Sequence, residues 1–356
     1  MFQDDRADAV IARLREREIS QMLICDPLAI FYLTEKHLKS KDRIIFLYLS
    51  EEKNILFINH LQELNEDIGI PLVRLEGDDF VTISHYVNQE KALGIDKNLP
   101  VRYLFQMQDI HLASEYKITS DAVDEVRRVK SLTEQDKMIR SSALNDKAMD
   151  EFRKLIHAGV TEIEVSSKLP QIYEKLGADC IQFGIVAFGA NAANPHHRAD
   201  NTVLNEGDCV LFDVGALLDG YCSDMTRTFF YCAPSEHARK VYEIVRYAQE
   251  TAEAAIRPGM LGGEIDKIAR NIITEAGYGA NFTHNLGHSI GLQCHEPGNL
   301  APNSEIVLQP GMIFSVEPGI YIEGEIGVRI EDLVLVTEEG YQVLNSYTKD
   351  LTVIND

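Results

Sequence analysis

Residues 209–215 read Cys-Val-Leu-Phe-Asp-Val-Gly, and a second acid, Asp224, follows eleven positions after Asp213. The apolar run that leads into Asp213 predicts a strand, and Gly215 and Gly220 predict a tight turn before a return strand. This hairpin would place Asp213 and Asp224 side by side. Burying two unpaired carboxylates is costly, so a buried pair would require cations. A hairpin with two solvated acids is the alternative that this stretch leaves open.

The composition is that of an ordinary globular protein. The chain has 356 residues, a length sufficient for two domains. Of these residues, 45% are hydrophobic and 25% are charged. The net charge of −22 argues against a nucleic-acid or anionic-membrane partner. No long apolar run predicts a membrane span, and the acidic N-terminus does not resemble a signal peptide. The six cysteines form no CxxC pair, so we expect reduced thiols in a cytoplasmic protein.

Strands and helices are expected to alternate in the first part of the chain. Strands are predicted at 22–25, 44–49, 55–58 and 92–95, and helical patterns near 4–18, 60–67 and 79–91. This alternation predicts an α/β domain over residues 1–120. The domain contains no GxGxxG or GxxxxGK[ST] motif, so no nucleotide site is indicated. The polar, basic segment Thr34 to Arg43 is expected to be an exposed loop.

A second domain is expected at residues 131–356, after the charged stretch 118–132. Its predicted helices cover about 133–157, 161–176, 235–256 and 263–276. The second of them begins with a capping box formed by Thr161 and Glu164. Gly177 and Gly277 end the second and fourth helices.

The second domain carries an internal duplication. At a shift of 100 residues Gly159, Glu164 and Gly177 match Gly259, Glu264 and Gly277. At a shift of 104 residues the matches are Val203 with Val307, Leu204 with Leu308, Gly207 with Gly311, Asp213 with Glu317, Gly215 with Gly319 and Gly220 with Gly324. A repeated unit of this length predicts two halves related by a pseudo-twofold axis.

The duplication brings acids from both halves to the seam between them. The first half supplies Asp213 and Asp224, each near a strand end, and the second supplies Glu317 and Glu331. Four carboxylates would raise one another's pKa unless metal neutralised them. His288 would complete a mixed oxygen and nitrogen site, and its flanking glycines suggest close backbone packing. A structural role for a lone histidine between glycines is the alternative.

A zincin-type helix over His284 and His288 is a different interpretation of the same histidine. That motif requires a glutamate after the first histidine, and Asn285 stands there. Gly287 and Gly291 also disfavour a helix. We therefore reject this interpretation.

Four segments carry a family resemblance. DVGALLDGYCSDMTRTF, NLGHSIGLQCHEP, VEPGIY and GVRIED resemble, in that order, the metal-binding motifs of the pita-bread metallopeptidases. That family includes prolidase, aminopeptidase P and methionine aminopeptidase. The resemblance covers roughly residues 130–356, and the preceding domain is similar to that of prolidase, aminopeptidase P and creatinase. The implied fold is an α/β N-terminal domain followed by an α+β pita-bread domain with a pseudo-twofold duplication.

The resemblance implies two divalent metal ions per subunit. Their ligands would be Asp213, Asp224, His288, Glu317 and Glu331, with Asp224 and Glu331 bridging both ions. Oxygen-rich ligation with one histidine suits manganese, with cobalt or zinc possible. Two such ions activate water and polarise a carbonyl group.

The same matching implies further catalytic residues. His196 and His295 fall where the family has histidines that contact substrate, and both would donate hydrogen bonds to the peptide carbonyl or the oxyanion. For His196, the alternative is that His197 takes this role. Glu317 is counted among the catalytic residues as well as the ligands. Arg329 would support a metal-ligating carboxylate.

The resemblance implies an exopeptidase that cleaves the bond before proline. We expect an Xaa-Pro dipeptidase acting on small peptides as a homodimer, with an aminopeptidase P acting on longer Xaa-Pro-Yaa peptides as the alternative. No arginine lies between Arg270 and Arg329, where some prolidases hold the substrate carboxylate. The basic loop, with Lys36, His37, Lys39, Lys41 and Arg43, is predicted to supply that cation from the partner subunit.

Two remoter functions share the expected fold. A metal-free hydrolase of the creatinase type would have lost the metal ligands, and all five are present. A non-catalytic peptide-binding module would show eroded ligands and long charged tails, and neither feature is seen.

Overall fold

The computed structural model describes residues 1–38, 45–64 and 67–356. The chain divides into two compact units, Met1–Arg127 and Arg128–Asp356. No described helix combines the length and the apolar character that a membrane span requires.

The first unit is a six-stranded mixed sheet with helices. Its elements are α1 (Asp4–Glu16), β1 (Gln21–Ile24), α2 (Pro27–Thr34), β2 (Ile45–Ser50), β3 (Asn54–Asn59), β4 (Leu72–Leu75), α3 (Asp79–Ser84), β5 (Ala92–Ile95), α4 (Val101–Asp109), β6 (Glu115–Ile118) and α5 (Ser120–Arg128). The strand order is β4-β3-β2-β1-β5-β6. The four predicted strands are confirmed as β1, β2, β3 and β5. They are almost wholly buried, which explains why they read as continuous apolar runs.

Three local expectations in the first unit are wrong. The described residues of 60–67 contain no helix, because the Asn59 side chain and carbonyl accept the backbone N–H groups of Leu61 and Gln62 in a turn. The helix expected over 79–91 ends at Ser84. Thr34 is not in a loop but is the buried last residue of α2. Lys39, Lys41 and Arg43 lie outside the described residues.

The second unit contains the remaining elements. They are α6 (Leu132–Arg153), α7 (Glu162–Ser166), α8 (Leu169–Leu176), β7 (Cys180–Phe188), β8 (Cys209–Leu218), β9 (Tyr221–Cys222), β10 (Met225–Tyr231), α9 (Glu236–Ala255), α10 (Gly262–Glu275), β11 (Gly287–Ser289), β12 (Glu296–Leu300), β13 (Ile313–Val316), β14 (Gly319–Ile322), β15 (Ile326–Arg329), β16 (Asp332–Val336), β17 (Tyr341–Val343) and β18 (Val353–Ile354). Short 3₁₀ helices lie at Gly189–Ala193 and Gly279–Asn281.

The single helix expected over 161–176 is two helices. Thr161 and Glu164 do form the predicted capping box of α7. However, Pro170 stands in the first turn of α8 and has no N–H to continue the ladder of α7. The chain therefore starts a new helix after Lys168.

Two sheets and a hairpin carry the acids. One sheet has the order β18-β10-β8-β7 with β9 beside β8, the other the order β12-β11-β13-β16-β17, and β14 pairs with β15. Residues of α6 and α8 pack on the first sheet through Phe152 and Tyr173, which contact each other at 5.3 Å between ring centroids. Helices α9 and α10 contribute Val245 and Ile265 to the core cluster that contains Phe314 of β13.

The two halves repeat each other in detail. Thr161 forms an isolated bridge with Val203, and Leu261 forms the matching bridge with Val307. Four matched glycine pairs have nearly equal positive φ angles: Gly159 and Gly259 (76° and 85°), Gly177 and Gly277 (89° and 93°), Gly207 and Gly311 (87° and 89°), and Gly220 and Gly324 (79° and 74°). The expected fold class, an α/β unit followed by an internally duplicated α+β unit, is confirmed.

The hairpin that opens the sequence analysis forms as β8 and β10. Asp213 lies directly opposite Thr226, and Asp224 immediately precedes β10. The expectation that Asp213 lies near a strand end is wrong. Strand β8 continues past it to Leu218 and pairs with β7 on its other side. The backbone of Asp213 is therefore paired with a strand on each side.

The duplication predicts equal responses at one matched pair of turns. An alanine side chain at Gly159 or Gly259 would meet no atom within 4 Å, so each substitution reports only backbone strain. We expect Gly159→Ala and Gly259→Ala each to lower the free energy of unfolding by about 1–2 kcal/mol, measured by urea denaturation. Asparagine at either position should cost less, because it tolerates a left-handed backbone. A large loss in only one half would contradict the equivalence of the turns.

Candidate metal centre

Eight residues singled out from the sequence line one cavity of about 390 Å³. They are His196, Asp213, Asp224, His288, His295, Glu317, Arg329 and Glu331. Phe183, Ile185 and Pro195 add apolar walls, and His284 and Asn299 add polar ones. Thus acids from both halves of the duplicated unit meet at one place.

Three of the predicted metal ligands are buried and lie close together. One ligand atom each from Asp224, His288 and Glu331 lies within 4.8 Å of the others. The solvated-acid interpretation of the hairpin is therefore wrong for Asp224, which is 3% exposed. Its Oδ1 is buried and has no hydrogen-bond partner among the described residues. The site therefore contains an acceptor oxygen that no described donor satisfies.

Burial and mutual repulsion perturb the carboxyl groups strongly. Burial, then the Asp213 and Glu317 carboxylates, raise the pKa of Asp224 well above its usual range. Burial and then Asp224 do the same to the pKa of Glu331. Burial raises the pKa of Glu317 to about 8 although Arg329 opposes it. Four carboxylates and one guanidinium leave an excess of negative charge that divalent cations would neutralise.

His288 is oriented as a neutral ligand. Its Nδ1 lies 3.2 Å from the Ser289 carbonyl oxygen and donates to it, which leaves Nε2 unprotonated. Nε2 lies 3.4 Å from Glu317 Oε1 and 3.7 Å from Asp224 Oδ2. Burial, then His295, lower the pKa of His288 to about 4, so the ring is neutral at pH 7. This oxygen-rich set with one imidazole nitrogen fits divalent metal ions.

A glycine fixes His288 against the neighbouring strand. A Cβ built on Gly287 would lie 1.9 Å from the Ser315 carbonyl oxygen, so the close backbone packing predicted here is confirmed. The same approach lets Ser315 Oγ accept from the His288 N–H at 3.0 Å and donate to Glu317 Oε1 at 3.1 Å. One serine thus positions two of the predicted ligands.

Arg329 organises the other side of the cavity. The guanidinium donates to Asp213 Oδ2 at 2.5 Å, to Thr226 Oγ1 at 3.1 Å and to the Tyr321 hydroxyl at 2.8 Å. Thr226 in turn donates to Glu331 Oε2 at 2.6 Å. The arginine is 3% exposed and contacts Asp213 directly, rather than Glu331, two positions along the chain.

Tyr321 and His284 extend this network and were not identified from the sequence. The Tyr321 hydroxyl lies 2.8 Å from His284 Nε2, and His284 Nδ1 lies 2.7 Å from the Asn285 carbonyl oxygen. Nδ1 must carry the proton, so the hydroxyl donates to Nε2. Burial, then Arg329, lower the pKa of His284 to about 4. Tyr321 could have been identified from the sequence, because it is the last residue of the VEPGIY motif.

His196 and His295 differ from His288 in exposure. Both are exposed at the cavity wall, and the ring of His295 lies 4.1 Å from that of His288 between centroids. His197, the alternative to His196, points elsewhere: its Nε2 donates to Glu162 Oε2 at 2.6 Å. The structure therefore brings His196, and not His197, to the cavity.

Glu162 anchors the loop that carries His196. It is fully buried and accepts four hydrogen bonds, from the backbone N–H groups of Phe188 and Asp200 and the side chains of Asn191 and His197. Glu162, His197 and Asp200 also have the spacing of a possible metal group. Because both oxygens of Glu162 are already engaged, the structure fits an anchor better than a metal site.

Comparisons with known proteins agree with this geometry. Residues 136–338 match metallopeptidase family M24, and residues 6–129 match the Creatinase/Prolidase N-terminal domain. An uncharacterised peptidase of Staphylococcus aureus (strain USA300) is 34% identical over 353 residues, covering 96% of this chain and 98% of the relative.

Two solved structures are similar over nearly the whole chain. An Xaa-Pro dipeptidase from Bacillus anthracis has a TM-score of 0.92 and 32% identity and covers 99% of each chain. A prolidase from Pyrococcus horikoshii OT3 has a TM-score of 0.91 and 31% identity, covering 98% of this chain and 99% of that one.

The perturbed carboxyl groups predict an unusual pH dependence without metal. Raised pKa values in the folded state mean that Asp224, Glu317 and Glu331 bind protons more tightly there than in the unfolded chain. Their stabilising contribution is complete only below the unfolded pKa values, about pH 4, and is lost as the pH rises through the folded pKa values. His284 and His288, with lowered pKa values, act oppositely, but only below about pH 6.5. Between pH 6.5 and 8 we expect the free energy of unfolding of chelated protein to fall.

Urea denaturation at several pH values measures this slope. Saturating Mn²⁺ should remove it, because bound cations keep the carboxylates ionised, so the stabilisation by metal should grow with pH. The Glu253→Gln variant is a matched control, since burial raises the pKa of that carboxyl group to about 7 outside the cavity. A metal-induced gain that is the same at pH 6.5 and pH 8 would contradict the prediction.

Proposed function

Because the chain belongs to metallopeptidase family M24, we propose that it is a dinuclear Xaa-Pro dipeptidase. The observation that carries the proposal is the meeting of Asp213, Asp224, His288, Glu317 and Glu331 at one cavity, with the Asp224 Oδ1 unpartnered. The similar dipeptidase and prolidase structures support the substrate class. Aminopeptidase P activity on Xaa-Pro-Yaa peptides is the alternative. The five retained ligands argue against a creatinase-type hydrolase or a non-catalytic module.

The five proposed ligands differ in how exposed they are and in which side chains of the protein contact them. Asp224 and Glu331 are the least exposed of the five, which suits ligands that would be shared by two ions. Asp213, which pairs with Arg329, would complete the coordination of one ion, and His288 and Glu317 would complete that of the other. Manganese is the proposed metal, with cobalt or zinc as alternatives. When bound, the ions supply an activated water and polarise the scissile carbonyl.

Glu317 is the carboxylate that we assign to accept the proton of the attacking water. Its side chain is 18% exposed, compared with 5% for Asp224, so it is more accessible to a substrate. Asp213 is 14% exposed but is already paired with Arg329. Glu317 Oε1 accepts from Ser315, which fixes the carboxylate in place for proton transfer.

His196 and His295 are proposed to stabilise developing charge. Both stand at the cavity wall and neither is among the buried ligands. An imidazole N–H aimed at the scissile carbonyl oxygen would donate most strongly when that oxygen becomes an oxyanion. Arg329 acts through Asp213 and Tyr321 and is a positioning residue.

Three features remain predictions. A homodimer and a cytoplasmic location are proposed from the family and from the six cysteines, all of which are free thiols. The basic segment is still proposed to bind the substrate carboxylate from the partner subunit. Of the basic residues in that segment the structure describes Lys36 and His37, and His37 stacks on Phe31 at 4.0 Å between ring centroids.

Substitution of a bridging carboxylate tests the metal assignment. We expect Asp224→Asn or Glu331→Gln to abolish Mn²⁺-dependent hydrolysis of Leu-Pro and to lower bound metal, measured by elemental analysis of the dialysed protein. Glu253→Gln removes a buried carboxyl group outside the cavity and should retain both. Full turnover of Leu-Pro in exhaustively chelated protein would rule out the dinuclear proposal.

The histidines should separate catalysis from metal binding. His196→Ala and His295→Ala are expected to retain metal and to lower kcat by roughly 10²–10³, the loss typical of an oxyanion-stabilising donor. His197→Ala is the neighbouring control and should act only through the loop anchored by Glu162. Loss of metal with normal turnover in excess Mn²⁺ would show that the assigned role is wrong.

A further inference from the structure

A solvent-open groove of about 560 Å³ adjoins the metal-site cavity. We call it the exit groove. It shares Phe183, Ile185 and His196 with the cavity and continues past them along Ile163, Ser166 and Arg198. The groove therefore lies next to the cavity, on the side where His196 stands.

The charge of the exit groove is opposite to that of the cavity. The cavity is lined by four carboxylates, whereas no carboxylate lines the groove. Arg198 supplies its permanent positive charge, is exposed, and makes no hydrogen bond or ion pair with any described residue. By contrast, Arg329 is committed to Asp213 and Arg270 to Asp266.

The backbone around Arg198 is held rigidly although its side chain is free. On one side the His197 ring donates to the buried Glu162 carboxylate at 2.6 Å, and on the other the Asp200 N–H donates to it at 3.0 Å. Arg198 thus projects from a loop fixed at both flanks. A cation presented this way loses little backbone freedom when it binds an anion.

Charge also determines which end of a peptide lies in the groove. The guanidinium of Arg198 attracts a C-terminal carboxylate and repels a protonated N-terminal amine, so the C-terminal end of a peptide is favoured in the groove. A dipeptide fits within the 390 Å³ cavity. One additional residue extends the chain by about 3.5 Å, so a tripeptide needs room beyond the space that a dipeptide takes.

We propose that the exit groove binds the residue after proline in a tripeptide Xaa-Pro-Yaa, and that Arg198 pairs with its C-terminal carboxylate. The inference rests on the proposed scissile bond and extends the activity beyond dipeptides. A guanidinium and a carboxylate pair through two parallel N–H···O bonds, which a carboxamide cannot reproduce.

Hydrolysis of matched substrates tests the pairing. The substrates are Leu-Pro-Ala, Leu-Pro-Ala amide and Leu-Pro, each with saturating Mn²⁺. For the wild type we expect amidation to lower kcat/KM about five- to tenfold. Arg198→Ala should lose about the same factor on Leu-Pro-Ala, with a much smaller loss on the amide and on Leu-Pro. Arg198→Lys should recover part of the loss, and 0.5 M NaCl should reduce the wild-type preference.

Arg239→Ala is the control, because this exposed arginine of α9 lines neither the cavity nor the groove. It should change none of the three rates. Equal losses on all three substrates in Arg198→Ala, or no effect of amidation on the wild type, would overturn the inference. Cleavage of Leu-Pro without cleavage of Leu-Pro-Ala would overturn it while leaving the dipeptidase proposal intact.

A binding measurement keeps the two proposals separable. Isothermal titration of Mn²⁺-loaded protein with Pro-Ala and with Pro-Ala amide reports on the groove without turnover. The inference expects the acid to bind five- to tenfold more tightly than the amide, and expects Arg198→Ala to abolish the difference. Equal affinities in the wild type would sink it. Absence of Leu-Pro hydrolysis would instead count against the dipeptidase proposal alone.

Discussion

The convergence of four carboxylates on one small cavity is the constraint that the second unit must satisfy. Burial first, and repulsion from the neighbouring carboxylates second, raise the pKa values of Asp224 and Glu331, so the chain does not fully compensate these charges. Among the described residues that line it, the cavity has one arginine, Arg329, against these four acids, and hydrogen bonds orient the carboxylates. Arg329 holds Asp213, Ser315 holds Glu317 and Thr226 holds Glu331. Three of the four carboxylates are therefore oriented before any cation arrives.

The same requirement extends to the layer behind the cavity. Arg227, next to Thr226, is 1% exposed and donates to the Glu331 carbonyl oxygen and to Asp332 Oδ1, both at 2.6 Å. It also reaches the carbonyl oxygens of Tyr347 and Thr348. Thus two adjacent residues of β10 point to opposite sides of the strand. Thr226 contacts the acids, and Arg227 contacts the C-terminal segment. A buried charge is tolerated here because all of its donors are used.

The sequence was sufficient where a local pattern has one physical cause. Buried strands such as β2 and β3 read as apolar runs, and the repeated glycines mark left-handed turns that few other residues adopt. It was insufficient where the deciding contact is distant. Nothing near Glu162 indicates that its partners lie 26 to 38 residues away, so it reads as an ordinary acid in the first turn of a helix. Likewise, the sequence indicated that Arg329 supports a metal-ligating carboxylate, but nothing near it indicated that this carboxylate is Asp213, 116 residues earlier.

The loop anchored by Glu162 has an evolutionary consequence. Its frame depends on Asn191, His197, Asp200 and the Phe188 N–H, all of which bind one buried carboxylate. His196, Arg198 and Ala199 lie on the same loop but form no part of that frame, and they face the cavity or the exit groove. Apart from His197, which also lines the exit groove, residues that hold the loop are thus separate from residues that face the ligand sites. Single substitutions at the second set can alter selectivity without disturbing the first, so this short segment is a place where related enzymes can diverge in substrate at little cost to folding.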